Sequence, residues 1–225
     1  MHFITFSLFP DILETYFRSS IMARAVKKGV VTYQNINFRD FATDKHRTCD
    51  DTPYGGGAGM VIKPEPLGAA IKAHKREDLY MLYPSPSGKR FTQADAKRLS
   101  GYSCLGLIAG RYEGIDQRII DTYVDEELCI GDYVMSSGEL ASLVVIDTVM
   151  RLVEGAIAPE SLEEESFENG LLEYPHYTKP EIFEGQKVPE ILLSGHHQKI
   201  KEWREAKRWE KTLANRPEIV QNKTP

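Results

Sequence analysis

The stretch Leu107–Arg151, LIAGRYEGIDQRIIDTYVDEELCIGDYVMSSGELASLVVIDTVMR, decides how the chain is read. Two short apolar runs, Leu105–Ala109 and Leu128–Ile130, each stop at a glycine. Each is followed by a turn carrying Gly, Tyr and a carboxylate, and then by a helical pattern. An apolar run ending in glycine before a helix is how a parallel α/β sheet offers backbone groups to a ligand. Either turn alone is an ordinary strand-to-helix connection. The pair, Gly110-Arg111-Tyr112-Glu113-Gly114 and Ile130-Gly131-Asp132-Tyr133-Val134-Met135-Ser136-Ser137-Gly138-Glu139, points to a site.

Outward from that stretch the pattern keeps alternating. Met1–Ser7 reads as a first strand, and Pro10 suits the first turn of a helix, where its missing N–H costs nothing. A second helix is expected from a Ser19 or Ser20 cap to Lys28, with Gly29 as its stop. The β-branched and aromatic run Val30–Phe38 predicts a strand. Pro64–Arg76 predicts a helix, and Tyr80–Tyr83 a short buried strand ended by Pro84-Ser85-Pro86-Ser87-Gly88. Thr92 caps a helix to about Ser100. Leu105–Ala109, Ile115–Tyr123, Glu127–Ile130 and Gly138–Leu152 complete the β–α series. The fold class is α/β, a mainly parallel sheet with helices on both faces, plus a small all-helical C-terminal domain.

Four segments stand out from this series. Asp40–Met60 is a long polar, then glycine-rich loop, and loops of that length are usually functional. Its Gly55-Gly56-Gly57-Ala58-Gly59 run lacks the Gly-Lys-Ser/Thr ending of a phosphate loop, and the dinucleotide-binding spacing fails at Ile62. A flexible surface loop and a backbone passing close to a ligand or another chain both remain open. The helix before Arg151 is apolar around most of its circumference, which means burial on several sides. Gly155–Pro175 has no sustained period and reads as an acidic linker. Gly195–Ala214 is a basic helix with Trp203 and Trp209. The expected organisation is 1–154, a linker over 155–175, and a helical domain over 176–225.

Composition narrows the class. Hydrophobic residues at 41% and charged residues at 27% are ordinary for a soluble globular protein. The longest apolar run, Leu143–Ile146, is far short of the roughly 20 residues that cross a bilayer. The start of the chain turns polar at once and does not read as a signal peptide. Cys49, Cys104 and Cys129 have no zinc spacing and fit free thiols in a cytoplasmic setting. The net charge of −5 is unevenly spread. Residues 154–173 hold seven glutamates and no basic residue; residues 195–216 carry seven Lys/Arg against three Glu, and residues 18–47 seven against two Asp. Two basic segments flanking an acidic one can build a phosphate-binding face.

Both turns resemble those of the bacterial tRNA (guanine-N1)-methyltransferases of the SPOUT, trefoil-knotted class. The resemblance continues in Asp50-Asp51-Thr52-Pro53-Tyr54-Gly55-Gly56-Gly57-Ala58-Gly59-Met60, in Pro175-His176-Tyr177-Thr178-Lys179-Pro180 and in Leu193-Ser194-Gly195-His196-His197. These matches run in order over nearly the whole chain. The resemblance implies a knotted fold, a homodimer with the apolar helix at its interface, and transfer of a methyl group from S-adenosylmethionine to N1 of the guanosine 3′ of the anticodon, position 37 in tRNA.

Carried over residue by residue, it implies a cofactor pocket lined by Tyr83, Pro84, Ser85 and Pro86. Gly110, Tyr112 and Glu113 come from the first turn, and Ile130, Gly131, Asp132, Tyr133, Val134, Met135 and Gly138 from the second. Arg151 matches the arginine that faces the target base. N1 of guanine must lose a proton before it can attack, so a carboxylate base is needed. The family has aspartate before Ser-Phe; here Glu165 precedes Ser166-Phe167, with Glu164 and Glu168 as neighbouring alternatives. A second departure is Ser136-Ser137-Gly138 where Ser-Gly-Gly is usual. A Cβ at residue 137 resists positive φ, which predicts an altered turn. Backbone phosphate is assigned to His46, Arg47, Lys199, Lys201, Arg204, Lys207 and Arg208. The resemblance allows Mg2+, but no ligand set is readable. A knotted methyltransferase acting on another RNA position, or a non-catalytic RNA-binding protein of this fold, is the alternative.

Overall fold

The computed structural model describes residues 1–162 and 164–220. The chain divides into two units, Met1–Ile157 and Ala158–Pro225.

In the first unit the order is β1 (His2–Ser7), α1 (Pro10–Phe17), α2 (Ser20–Lys27), β2 (Thr32–Asn37), β3 (Asp50–Asp51), β4 (Val61–Ile62), α3 (Pro64–Ala73), β5 (Leu79–Arg90), α4 (Gln93–Leu99), β6 (Cys104–Ile108), α5 (Gln117–Tyr123), β7 (Glu126–Cys129) and α6 (Gly138–Met150). Five strands form one parallel sheet in the order β2-β1-β6-β5-β7. The chain moves from β5 to β6 on one side and then to β7 on the other. That reversal opens a crevice at the carboxyl ends of the central strands, where α/β sheets bind ligands.

Side-chain alternation along the strands fills a separate core on each face. Ile4, Phe6, Met81 and Ile108 pack with Leu67, Ala70, Ile71 and Ile119 on one side. Phe3, Leu82, Leu105 and Leu107 pack with Phe17, Met22, Leu99, Val145 and Ile146 on the other. Val145, Ile146, Val149 and Met150 of α6 are wholly buried. Each such side chain stabilises the fold by roughly 1.5–3 kcal/mol.

Local signals explain the element ends. Pro10 and Pro64 open their helices, and Gly29 leaves α2 at φ +72°. Thr92 and Asp95 form a reciprocal capping box on α4. The prolines after Tyr83 do not end β5. Its pairing with β7 jumps from Pro84 to Lys89, both opposite Leu128, so Ser85–Gly88 bulge out while the strand continues. Proline's fixed φ is compatible with extended backbone, and the missing ladder bonds fall within the bulge.

The second unit contains a two-stranded hairpin, β8 (Ile182–Phe183) and β9 (Gln186–Lys187), then α7 (Glu190–Leu193) and α8 (His197–Asn215). The hairpin corrects the all-helical expectation. Its turn, Glu184-Gly185, adopts positive φ at both residues, a tight hairpin geometry that glycine at the second position favours. Before it, residues 159–161 form a 3-10 turn. Glu163 and residues 221–225, which fall in the expected linker and helical domain, lie outside the described residues.

Candidate active site

The two turns close over a cleft of about 360 Å³ at the carboxyl ends of β5, β6 and β7. This is within the usual size of a small-molecule site, roughly 300–1,000 Å³. Tyr83, Pro84, Ser85 and Pro86 line one wall, Gly110, Tyr112 and Glu113 a second, and Ile130, Gly131, Tyr133, Val134, Met135 and Gly138 a third. Asp132 is the exception. Its side chain points to solvent and lies 3.9 Å from Arg90, so it does not line the cleft. Ser87, Arg111, Gly114, Leu128, Cys129, Ser136, Ser137 and Ala141 line it without having been singled out.

The turns approach each other more closely than side chains would permit. Gly138 N–H donates to Gly110 C=O at 3.0 Å. A Cβ on Gly138 would lie 2.3 Å from Gly110 N, and one on Gly110 2.9 Å from the Tyr83 hydroxyl. Gly59 of the glycine-rich loop passes the first turn so closely that a Cβ there would meet Glu113 Oε1 at 2.4 Å, and Glu113 N–H donates to Met60 C=O. Gly59 alone of that run passes close to another segment, and it is a segment of the same chain; a Cβ on Gly55, Gly56 or Gly57 would meet open space.

Tyr112, Tyr133 and Met135 do not serve as core packing: they are 52%, 56% and 36% exposed. Tyr83 differs. Burial, with Glu127 nearby, pushes its phenol above the ordinary value, so it stays a neutral hydrogen-bonding group. Residue 137 needs no left-handed backbone, because Ser137 sits at φ −141°, ψ 113°. The expected distortion from its Cβ does not occur; Ser137 instead turns its hydroxyl inward to Glu139 Oε2 at 2.9 Å.

Arg151 caps the C-terminal end of α6, with its N–H on Asp147 C=O, and is half-buried. In the second unit Glu165 is half-buried in a loop closed by Phe167 N–H to Leu171 C=O at 2.8 Å and by Glu173 N–H to Ser166 Oγ at 3.1 Å. Glu164 is turned elsewhere. It accepts from the Tyr174 hydroxyl at 2.7 Å and faces Arg204 at 3.6 Å.

Of the assigned phosphate contacts, His46, Arg47, Lys199 and Lys201 are exposed. Lys207 is ion-paired with Glu210, and Arg204 lies over the Tyr174 ring at 4.6 Å. Arg208 is a correction. It is 6% exposed and donates to Leu172 C=O, so its guanidinium holds the acidic segment and presents no face to a phosphate. Thr212, which the sequence reading passed over, accepts from Leu172 N–H at 2.9 Å. The readable signal was the i, i+4, i+8 spacing of Arg204, Arg208 and Thr212, one face of α8.

A family profile described as tRNA (Guanine-1)-methyltransferase TrmD matches residues 1–222. The chain belongs to that family. It is similar to proteins named tRNA (guanine-N(1)-)-methyltransferase from several bacteria. The Treponema denticola protein is 57% identical over 98% of this chain and 91% of its own length. The Treponema pallidum protein is 54% identical over 98% and 88%, and the Borreliella burgdorferi protein 55% identical over 97% and 92%.

Proposed function

We propose that the protein transfers a methyl group from S-adenosylmethionine to N1 of the guanosine immediately 3′ of the anticodon, position 37, in tRNA. The observation that carries this reading is the cleft itself, in which two glycine turns and a proline bulge meet at a reversal of strand order. A knotted, SPOUT-class path for the chain is what its family membership supports.

S-adenosylmethionine supplies a methyl group already activated by its sulfonium charge. The protein's own work is on guanine. The Glu165 carboxylate takes the N1 proton, and Arg151 stands near O6, where negative charge builds as that proton leaves. N1 then bonds to the methyl carbon as the sulfur–carbon bond breaks, leaving a neutral thioether. Intrinsic acidity scarcely separates glutamate from aspartate, with values of about 4.3 and 3.9, so the substitution changes reach more than basicity.

Exposed Lys199, Lys201, His46 and Arg47 are the groups proposed to hold tRNA phosphate. The target base would be splayed from a single-stranded loop into the cleft. A homodimer is supported by exposed Leu140 and Val144, one turn apart on the otherwise buried α6, with exposed Ile12 on the neighbouring α1. No described helix is long and apolar enough to cross a membrane, and three free, buried thiols fit a cytoplasmic location. Mg2+ finds no cluster of three or more His, Cys, Asp or Glu ligands among the described residues.

The test is methyl transfer from labelled S-adenosylmethionine to an unmodified tRNA transcript with guanosine at position 37, beside the same transcript with adenosine there. Product on the first alone, mapped to position 37 by a primer-extension stop, is expected. Labelling of both transcripts would point to another RNA position. Cofactor binding without labelling would mean a protein that only binds RNA.

A further inference from the structure

Glu139 is wholly buried, yet it lines no part of the cleft. A carboxylate removed from water is tolerated only where other groups satisfy its oxygens. Here those groups come from three separate segments. Ser7 Oγ, at the end of β1, donates to Oε1 at 2.6 Å, and the same Oγ accepts from Phe9 N–H at 2.8 Å. Ser137 Oγ, in the second turn, donates to Oε2 at 2.9 Å. Arg111 Nε, in the first turn, lies 2.9 Å from Oε2 as an ion pair without hydrogen-bond geometry, so it contributes charge and not a directed bond. The arginine then reaches across the cleft's base, donating from Nη1 to Ser136 C=O at 3.2 Å, and its guanidinium lies 4.6 Å from the Phe9 ring.

We infer that Glu139 is a positioning residue for the methyl donor, a buried carboxylate that locks the two cofactor turns to each other and to β1 through Arg111, Ser137 and Ser7. The inference rests on reading the cleft as the methyl-donor pocket. Its physical basis is the cost of an unpaired charge: neither turn can move away without stranding Glu139 or Arg111 in a poorly solvated place. Glu139 also lies in the first turn of α6, a 13-residue helix whose N-terminal dipole favours an anion there. Ser137 has a specific part. A glycine at this position would leave Oε2 facing Arg111 alone, whereas the serine hydroxyl supplies a donor from the turn that covers the cleft.

Preorganisation of this kind acts on cofactor binding more than on the chemical step, because the lock touches neither guanine nor the base. Glu139→Gln, Arg111→Lys and Ser137→Ala in the full chain test it. S-adenosylmethionine affinity is measured by calorimetry, KM for each substrate and kcat by methyl transfer, and Tm by melting. Losing a charge-assisted contact predicts about a tenfold rise in Kd and in KM for S-adenosylmethionine in Glu139→Gln. KM for tRNA and kcat at saturating cofactor should stay within about twofold of wild type, and Ser137→Ala should weaken cofactor binding about threefold. Should Glu139→Gln fail to fold, Ser137→Ala decides, since it deletes one hydroxyl and no charge. Wild-type cofactor affinity in these variants, with only Tm lowered, would reduce Glu139 to a fold residue and overturn the inference. A wild-type protein that binds no S-adenosylmethionine would instead defeat the reading of the cleft.

Discussion

The two glycine turns that line the cleft of the first unit are held from beneath by buried groups: Glu139, Ser7, Ser137 and the backbone bond from Gly138 to Gly110. In the second unit, residues 164–174 are held by one face of α8. There Arg204 covers Tyr174, Arg208 reaches Leu172 C=O, and Thr212 takes Leu172 N–H, while Glu164 and Lys201 nearby remain open to solvent. Both arrangements fix an irregular stretch of chain by satisfying its polar groups. The first is buried and closely packed, as a pocket for one small molecule requires. The second is thinner, a few tethers on a partly solvated helix. Segments with few buried contacts open at lower free-energy cost than packed cores.

That contrast breaks most sharply at Gly138. Alanine is the better helix former by about 1 kcal/mol, so propensity alone predicts a gain from Gly138→Ala. The close approach to Gly110 predicts the reverse, a loss of about 3 kcal/mol in stability with cofactor binding abolished. Melting and calorimetry on the same sample decide between them.

A smaller effect is expected in the second unit. Thr212→Val keeps the shape and strands the Leu172 N–H, which should cost about 2 kcal/mol locally. Hydrogen exchange should speed in residues 164–174 while the amides of β6 stay protected. Uniform acceleration across both units would erase the distinction between them.

The smallest effect belongs to the α4 cap. Thr92→Ala should lower stability by about 1 kcal/mol at neutral pH. Burial alone would raise the Asp95 carboxyl, but hydrogen bonds from Thr92 and Lys89 outweigh it and hold it below the ordinary range. A depressed value contributes stability above the unfolded pKa, about 3.9, and loses it as pH falls through the folded value. The gap between wild type and variant in an acid melt should therefore shrink below about pH 4.

How much of this was legible in the sequence follows from range. Glycines at strand ends, Pro10, Thr92 and the alternation of Phe3 with Ile4 act within a few residues, and the elements they predict are present. The cleft's walls were legible for the same reason, since each turn is a contiguous run. The pairing of Glu139 with Ser7 spans 132 residues and has no local signature beyond a carboxylate opening an apolar helix. The outward turn of the Asp132 side chain was not legible, because a contiguous motif does not say which of its side chains turns away. The burial of Arg208 was not legible, because composition counts a charge without locating the carbonyl it serves. Continuation of β5 through Pro84 and Pro86 depended on a bulge opposite Leu128, which only the pairing reveals.

The proposed function divides the labour: the first unit would hold the methyl donor, and Glu165 of the second would deprotonate guanine. Single-turnover methyl transfer by Glu165→Gln, with S-adenosylmethionine affinity measured on the same preparation, tests it most directly. Unchanged cofactor affinity and a rate lower by about a hundredfold or more are expected. An unaffected rate, or a rate that falls only in step with lost cofactor binding, would contradict it.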